Sequence, residues 1–405
     1  MQPHLPTAVT IEPAQEFEAQ HSVNRRAWVA RPQLASAGAR NAGLDALRAS
    51  LTLLVVMHHT AITYGAMGGW FYREVPTDRS LSSTLLVYFC TVNQAFFMGL
   101  FCLLAGYLTP GAMQRHGMRR YAVDRFKRLG LPLLFFGWIL GPVTIAMAQT
   151  ARGHAFADTL AKLLHGGTFE NGPLWFAQAL LIFACVAMLW LKLTPRLREQ
   201  SPGEGEVAPW PSNVVMLGAA IVTGAVALVL RVFWPVGVNV WGLQLGYFAS
   251  YVVLFAFGCV AARHRWLEFL PADKVRTWWR VALLALPTLP IVYFLGRAVP
   301  GLREPVLGYV YAFWEPLVAW GVILKLLWEF QRKFTVLDGL WKSLARRAYT
   351  IFIIHPPVLV AVALAWRGVP ANALVKFAVT GTVTCALCFI FAGWLLRVPA
   401  LRKIL

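Results

Sequence analysis

Arg48 and His59 lie eleven residues apart in the apolar run from Leu44 to Gly65. Eleven residues is close to three helical turns, so both side chains project from one face of a helix. At about 1.5 Å rise per residue, His59 lies roughly 16 Å deeper than Arg48. If the run spans a membrane, Arg48 sits at one face and His59 near the bilayer midplane. An ionisable imidazole in hydrocarbon is costly and marks a functional site. An imidazole can take a proton from a hydroxyl or carry a transferred group itself. An arginine at the membrane face can hold an anionic partner.

Other residues could join this chemistry. His58 follows about 100° around the same helix, off the face that Arg48 and His59 share. Arg125 and Arg128, at i and i+3, share one helical face where an apolar run begins. With Arg48 they form three guanidinium groups at one membrane face, suited to phosphate. Glu315, in Phe313-Trp314-Glu315-Pro316, sits deep in another apolar run. It is expected either to pair with His59 and tune its basicity, or to bond a different helix. His355 precedes Pro356 and Pro357, which should break or kink their helix and line a cavity. Asn93 and Gln94 lie mid-run, where each needs a partner or lines the same cavity. His165, Glu170 and Asn171 precede another run, and contact with a polar acceptor and plain solvation explain them equally well.

The elements that must hold these residues are apolar. Of 405 residues 58% are hydrophobic and 14% charged, with mean hydropathy +0.58. Soluble domains run nearer a quarter charged. The expected fold is an all-α polytopic membrane protein. Its spans fall near 47–67, 84–108, 131–149, 174–193, 213–234, 245–262, 280–296, 307–328, 349–366 and 373–396, about ten transmembrane helices. Pro287 and Pro290 interrupt the seventh. The net charge of +19 comes from basic residues clustered in loops, not along one face. The loops after spans two, six and eight are rich in Lys and Arg, including Arg119, Arg120, Arg263, Lys274, Lys342 and Arg346. The alternate loops are poorer. That bias predicts an N-in, C-in topology and argues against a nucleic-acid partner.

Residues 1–43 read as a disordered cytoplasmic tail without a signal peptide, and 44–405 as the transmembrane domain. Thr194 to Asn213 reads as a cytoplasmic loop. Trp70, Trp175, Trp234 and Trp241 fall near span ends, as interface anchors do. The six cysteines, including the Cys385-x-x-Cys388 pair, read as small apolar side chains, and no metal site is expected.

Five segments in order resemble the membrane-bound acyltransferase-3 family. They are Leu44 through Arg48 to His59, an R-x10-H arrangement; Phe96-Phe97-Met98 through Gly106-Tyr107; Arg125-Phe126-Lys127-Arg128-Leu129 to Pro132; Gly172-Pro173-Leu174-Trp175-Phe176; and Tyr349 through His355-Pro356. Ala105 and Phe352 replace the Ser and second Tyr usual there. The combination of Gly69-Trp70, Gly106-Tyr107 and Leu129 to Pro132 most resembles the glucan biosynthesis protein C subgroup, which modifies osmoregulated periplasmic glucans, usually with succinyl.

The resemblance implies an integral-membrane acyltransferase (EC 2.3.1-type) of a bacterial inner membrane. It would move acetyl or succinyl from cytosolic acyl-CoA to a hydroxyl of a carbohydrate or glycan. His59 and Glu315 would be catalytic. Arg48, Arg125 and Arg128 would hold the CoA phosphates. His58, Asn93, Trp175 and His355 would line the site. Whether transfer is direct or through an acyl-imidazole stays open. A secondary transporter or flippase of a small polar or glycolipid substrate would also use about ten helices and buried polar groups, but needs an internal repeat and paired acids that the sequence lacks. A non-catalytic scaffold would tolerate loss of His59.

Overall fold

Helices account for the regular structure in a computed structural model that describes residues 41–194, 209–296 and 303–404. They are α1 (Ala42–Thr63), α2 (Leu81–Arg125), α3 (Leu131–Phe135), α4 (Gly141–Thr150), α5 (Phe156–His165), α6 (Trp175–Leu193), α7 (Asn213–Phe233), α8 (Phe248–Arg263), α9 (Ala272–Ala285), α10 (Thr288–Leu295), α11 (Arg303–Lys333), α12 (Gly339–Ala365), α13 (Ala373–Leu395) and α14 (Pro399–Arg402). Among the described residues, β structure is limited to two isolated bridges. The expected tail falls, but for its last three residues, outside the described residues, as does most of the loop Thr194 to Asn213.

Among the described residues nine helical runs are long and apolar enough to cross a membrane. One of them, Leu81–Thr150, is 70 residues long and holds two of the ten expected spans. It cannot be one rod. Gly117 has φ +75, outside the helical region. Thr109 and Tyr121 hydrogen-bond through their side chains at 3.1 Å. In an unbroken helix twelve residues would separate them by about 18 Å. The chain therefore folds back at Gly117. The seventh span starts earlier than expected, at Ala272, and restarts as α10 after Pro287.

Helix α1 is the spine of the bundle, packing against α2, α11, α12 and α13. Asn41 caps its start, the side chain accepting from Leu44 N–H at 3.1 Å. At Gly43 α1 meets the backbone of Phe330 and Gln331, so its start and the end of α11 lie on one face. Helices α2 and α8 approach closely: a Cβ at Gly258 would stand 2.2 Å from the Leu103 carbonyl. Small residues allow such contact where lipid removes the hydrophobic drive between helices.

Prolines set the remaining geometry. Pro132 and Pro356 have no N–H, so the carbonyls four residues back, of Arg128 and Phe352, lose their helical partner. Both are bonded by side chains of α12. The Tyr349 hydroxyl donates to Arg128 O, and His355 Nδ1 bonds Phe352 O at 2.7 Å. Helix α12 thus runs unbroken through Pro356 and Pro357, correcting the break expected there. The chain around Arg128 is instead unwound into two π-helical turns, Phe126–Gly130 and Phe136–Leu140, a feature common near functional sites.

Candidate active site

His59 sits one turn from the end of α1, because the helix spans 42–63 and not the expected 47–67. It is therefore displaced from mid-helix toward the end opposite Arg48. The segment after α1 closes over it. Trp70 stacks on the His59 ring with centroids 4.0 Å apart and planes 13° apart. This segment is tied down at many points. Glu74 and Val75 N–H bond the Thr63 carbonyl at 2.9 and 3.2 Å, and Ser83 Oγ donates to Gly65 O at 2.6 Å. Glu74 pairs with Lys376 of α13, which is only 5% exposed and also donates to Arg367 O at 3.2 Å. Tyr64 OH hydrogen-bonds Thr380 at 2.9 Å. Burial, ahead of every other influence, pushes the Tyr64 hydroxyl up to about 12, so it stays protonated.

The partner of His59 is His355, which is 0% exposed and is not on the cavity wall it was expected to line. Nδ1 of His59 lies 3.0 Å from Nε2 of His355, the rings near parallel at 17°. The proton positions follow from the backbone. The Phe352 carbonyl can only accept, so His355 Nδ1 carries a proton. Neutral His355 then presents a bare Nε2, which accepts from His59 Nδ1–H. That leaves the lone pair of His59 on Nε2. One orphaned carbonyl, created by Pro356, thus selects the tautomer of the imidazole two residues along the chain of hydrogen bonds.

His59 lines a cavity of about 1850 Å³ at the end of the bundle away from Arg48. Its walls come from α1, α2, α4, α6, α7, α8, α10 and α11 and from the segments that join spans at that end. The floor reaches Met98, Leu133 and Phe352. His58 lines it too, its ring 4.9 Å from Phe97, with a buried Nδ1 that has no hydrogen-bond partner. Trp175 lines it and stacks on Tyr251 at 5.8 Å. Trp70 and Trp175 therefore face the cavity and are not simple interface anchors.

Two further expectations need correction, the pairing of Glu315 with His59 and the place of Asn93. Of the two partners expected for Glu315, the structure shows other helices and not His59. It is 1% exposed and accepts from Arg231 of α7 and, at 3.1 Å, from Ser250 of α8. An ion pair removed from water is more stable closed than open, so Glu315 is committed to Arg231. Asn93 is buried without a partner for Nδ2 and is not on the cavity wall. The next residue is: Gln94 donates to Tyr251 OH at 2.7 Å and faces the cavity. Arg48, Arg125 and Arg128 lie off the cavity. Arg48 is paired with Asp45 at 3.6 Å, Arg125 stacks on Tyr121 at 5.0 Å, and the Arg128 side chain is exposed.

Arg231 was missed in the sequence although a signal existed. It is the one charged residue of α7, in the last turn of an apolar helix. Its guanidinium lies 5.6 and 4.8 Å from the Tyr247 and Tyr311 rings and donates to Gly246 O at 3.0 Å. Lys376, inside an apolar run, was a second such signal.

The family model for the acyltransferase domain of the acyltransferase-3 type matches residues 41–393. The chain belongs to the membrane acyltransferase-3 family. No curated protein and no solved structure matches the chain. The acyltransferase domain so matched begins at the cap of α1 and ends in the last turn of α13, enclosing the histidine pair and the cavity. This acyltransferase is a multi-pass membrane protein.

Proposed function

We propose that the protein moves an acetyl or succinyl group from acyl-CoA to a hydroxyl of a carbohydrate acceptor, with His59 as general base. The observation that supports this reading is the hydrogen-bond chain from the Phe352 carbonyl through His355 to His59, which leaves Nε2 unprotonated on a residue that lines a large cavity. Ligand pockets for drug-sized molecules measure about 300–1000 Å³. This one exceeds that range, and is lined by amides, phenols and indoles suited to a polyhydroxylated chain.

The reaction runs as follows in this reading. An acceptor hydroxyl enters the cavity and gives its proton to His59 Nε2. The oxygen attacks the thioester carbonyl, the C–S bond breaks, and the imidazolium returns its proton to the leaving thiolate. His355 holds the ring by its Nδ1–H and shares the positive charge that develops. The CoA phosphates bind at the opposite face, to Arg128 with Arg125 and Arg48. Leu133, five residues beyond Arg128 in α3, between the two unwound turns, is already on the cavity floor. The acyl arm would pass there. This requires the arginine face to be cytosolic, as the loop charges imply, and the cavity to open outward from a bacterial inner membrane.

The test compares envelope glycans by mass spectrometry in cells lacking the gene and carrying either wild type or His59→Ala. An acyl mass shift restored only by wild type supports O-acyl transfer by His59. Restoration by His59→Ala to wild-type level would sink the general-base role.

A further inference from the structure

At the mouth of the cavity Val240 and Leu243 bond each other through both backbone groups at 2.9 Å, closing a two-residue hairpin turn over Trp241 and Gly242. Both central residues have positive φ, +52 for Trp241 and +78 for Gly242. That is the φ signature of a type I′ turn, whose first central position favours Asn, Asp or Gly. A bulky aromatic there is a genuine outlier. Burial does not repay it, since Trp241 is 88% exposed.

The turn is nonetheless held firmly. Gly242 packs so tightly on Asn171 that a Cβ would meet its amide at 2.1 Å. Asn171 donates to Gln178 Oε1 at 2.8 Å, and Gln178 donates on to the Trp241 carbonyl at 3.3 Å. The fold therefore fixes an unfavourable backbone so as to hold one bare indole in the open. Strain kept in place by its surroundings points to function. Trp241 lines the same cavity as His59, and Asn239, Gln244 and Gln178 stand beside it. A flat apolar face ringed by amides matches one ligand chemistry: a sugar ring, with its C–H face against the indole and its hydroxyls on the amides.

We propose that Trp241 is an acceptor-recognition platform that grips a sugar ring of an oligosaccharide at the cavity mouth, remote from the ring being acylated at His59. This rests on the carbohydrate reading above. Acceptors long enough to reach both places gain from it, and single sugars do not.

The experiment uses the full chain in detergent with acetyl-CoA and succinyl-CoA, and β-linked glucose oligosaccharides of graded length as acceptors, with thiol release and ester mass both recorded. Trp241→Ala should raise the KM of the longer oligosaccharides about tenfold, the scale of one lost ring contact, with the acyl-CoA KM unchanged. Trp241→Phe should stay near wild type. Trp241→Asn, relieved of strain, should melt higher than wild type yet show the same acceptor defect. An unchanged acceptor KM in Trp241→Ala overturns the proposal, and the residue is then an interface anchor. Wild type that releases thiol but esterifies no oligosaccharide overturns it together with the carbohydrate reading, while leaving acyl transfer intact. No thiol release overturns the reaction itself.

Discussion

His355→Ala offers the sharpest separation of chemistry from architecture. The substitution removes two contacts at once, the 3.0 Å link to His59 and the 2.7 Å link to the Phe352 carbonyl. The first holds the His59 tautomer. A hydrogen bond of net worth about 1–1.5 kcal/mol corresponds to roughly tenfold in tautomer population. Losing the orientation of the ring as well brings the expected fall in kcat to about a hundredfold, the lower end of what a positioned base contributes. The second contact is structural. An orphaned carbonyl at a side chain 0% exposed costs about 1–3 kcal/mol of stability.

Pro356 allows the two to be separated. In the double variant His355→Ala with Pro356→Ala, residue 356 regains an N–H and can bond the Phe352 carbonyl as an ordinary helix does. Thermal stability should recover, while kcat stays about a hundredfold down. His355→Gln, whose side-chain oxygen can accept from His59 Nδ1–H, should recover part of the rate. The assay is acyl-CoA consumption in detergent, with kcat and KM resolved and melting measured alongside. The reasoning fails if the double variant regains wild-type kcat, or if KM for acyl-CoA rises in step with the loss of rate.

Other expectations follow from the same contacts. Glu74→Ala leaves the buried Lys376 ammonium with the Arg367 carbonyl and the Trp366 ring but no anion, and should destabilise by about 3–5 kcal/mol, read as a lower melting temperature, while loosening Trp70 over His59. Glu315→Gln should unfold more readily by a similar amount, because Arg231 loses its anion, and the double replacement Arg231→Met with Glu315→Met should recover most of it. If Glu315→Gln instead folds normally and loses only kcat, its carboxylate acts on the reaction and not on Arg231. Tyr349→Phe should cost about 1 kcal/mol of stability by releasing the Arg128 carbonyl, and should raise the KM of acyl-CoA if Arg128 holds its phosphates. An unchanged KM would remove Arg128 from the donor site.

Composition and run length determined the membrane class by themselves, since 58% hydrophobic residues have few other solutions and a span is set by the thickness of hydrocarbon. Sequence also singled out His59, because an imidazole in an apolar run is expensive wherever the run is placed. Local pattern also located His355 beside its prolines, though it predicted a broken helix. Only tertiary structure decided what these residues face. The fold-back at Gly117 brings α2 and the unwound segment to the same bundle, and Glu315 meets Arg231 instead of His59 because α11 lies against α7 as well as α1. Asn93 and Gln94 differ by one position and about 100° of helix, enough to bury one away from the cavity and put the other on its wall. Burial cost can be read along one chain segment. Which neighbour repays it depends on helix packing across two or three hundred residues, and no spacing within a single run encodes that.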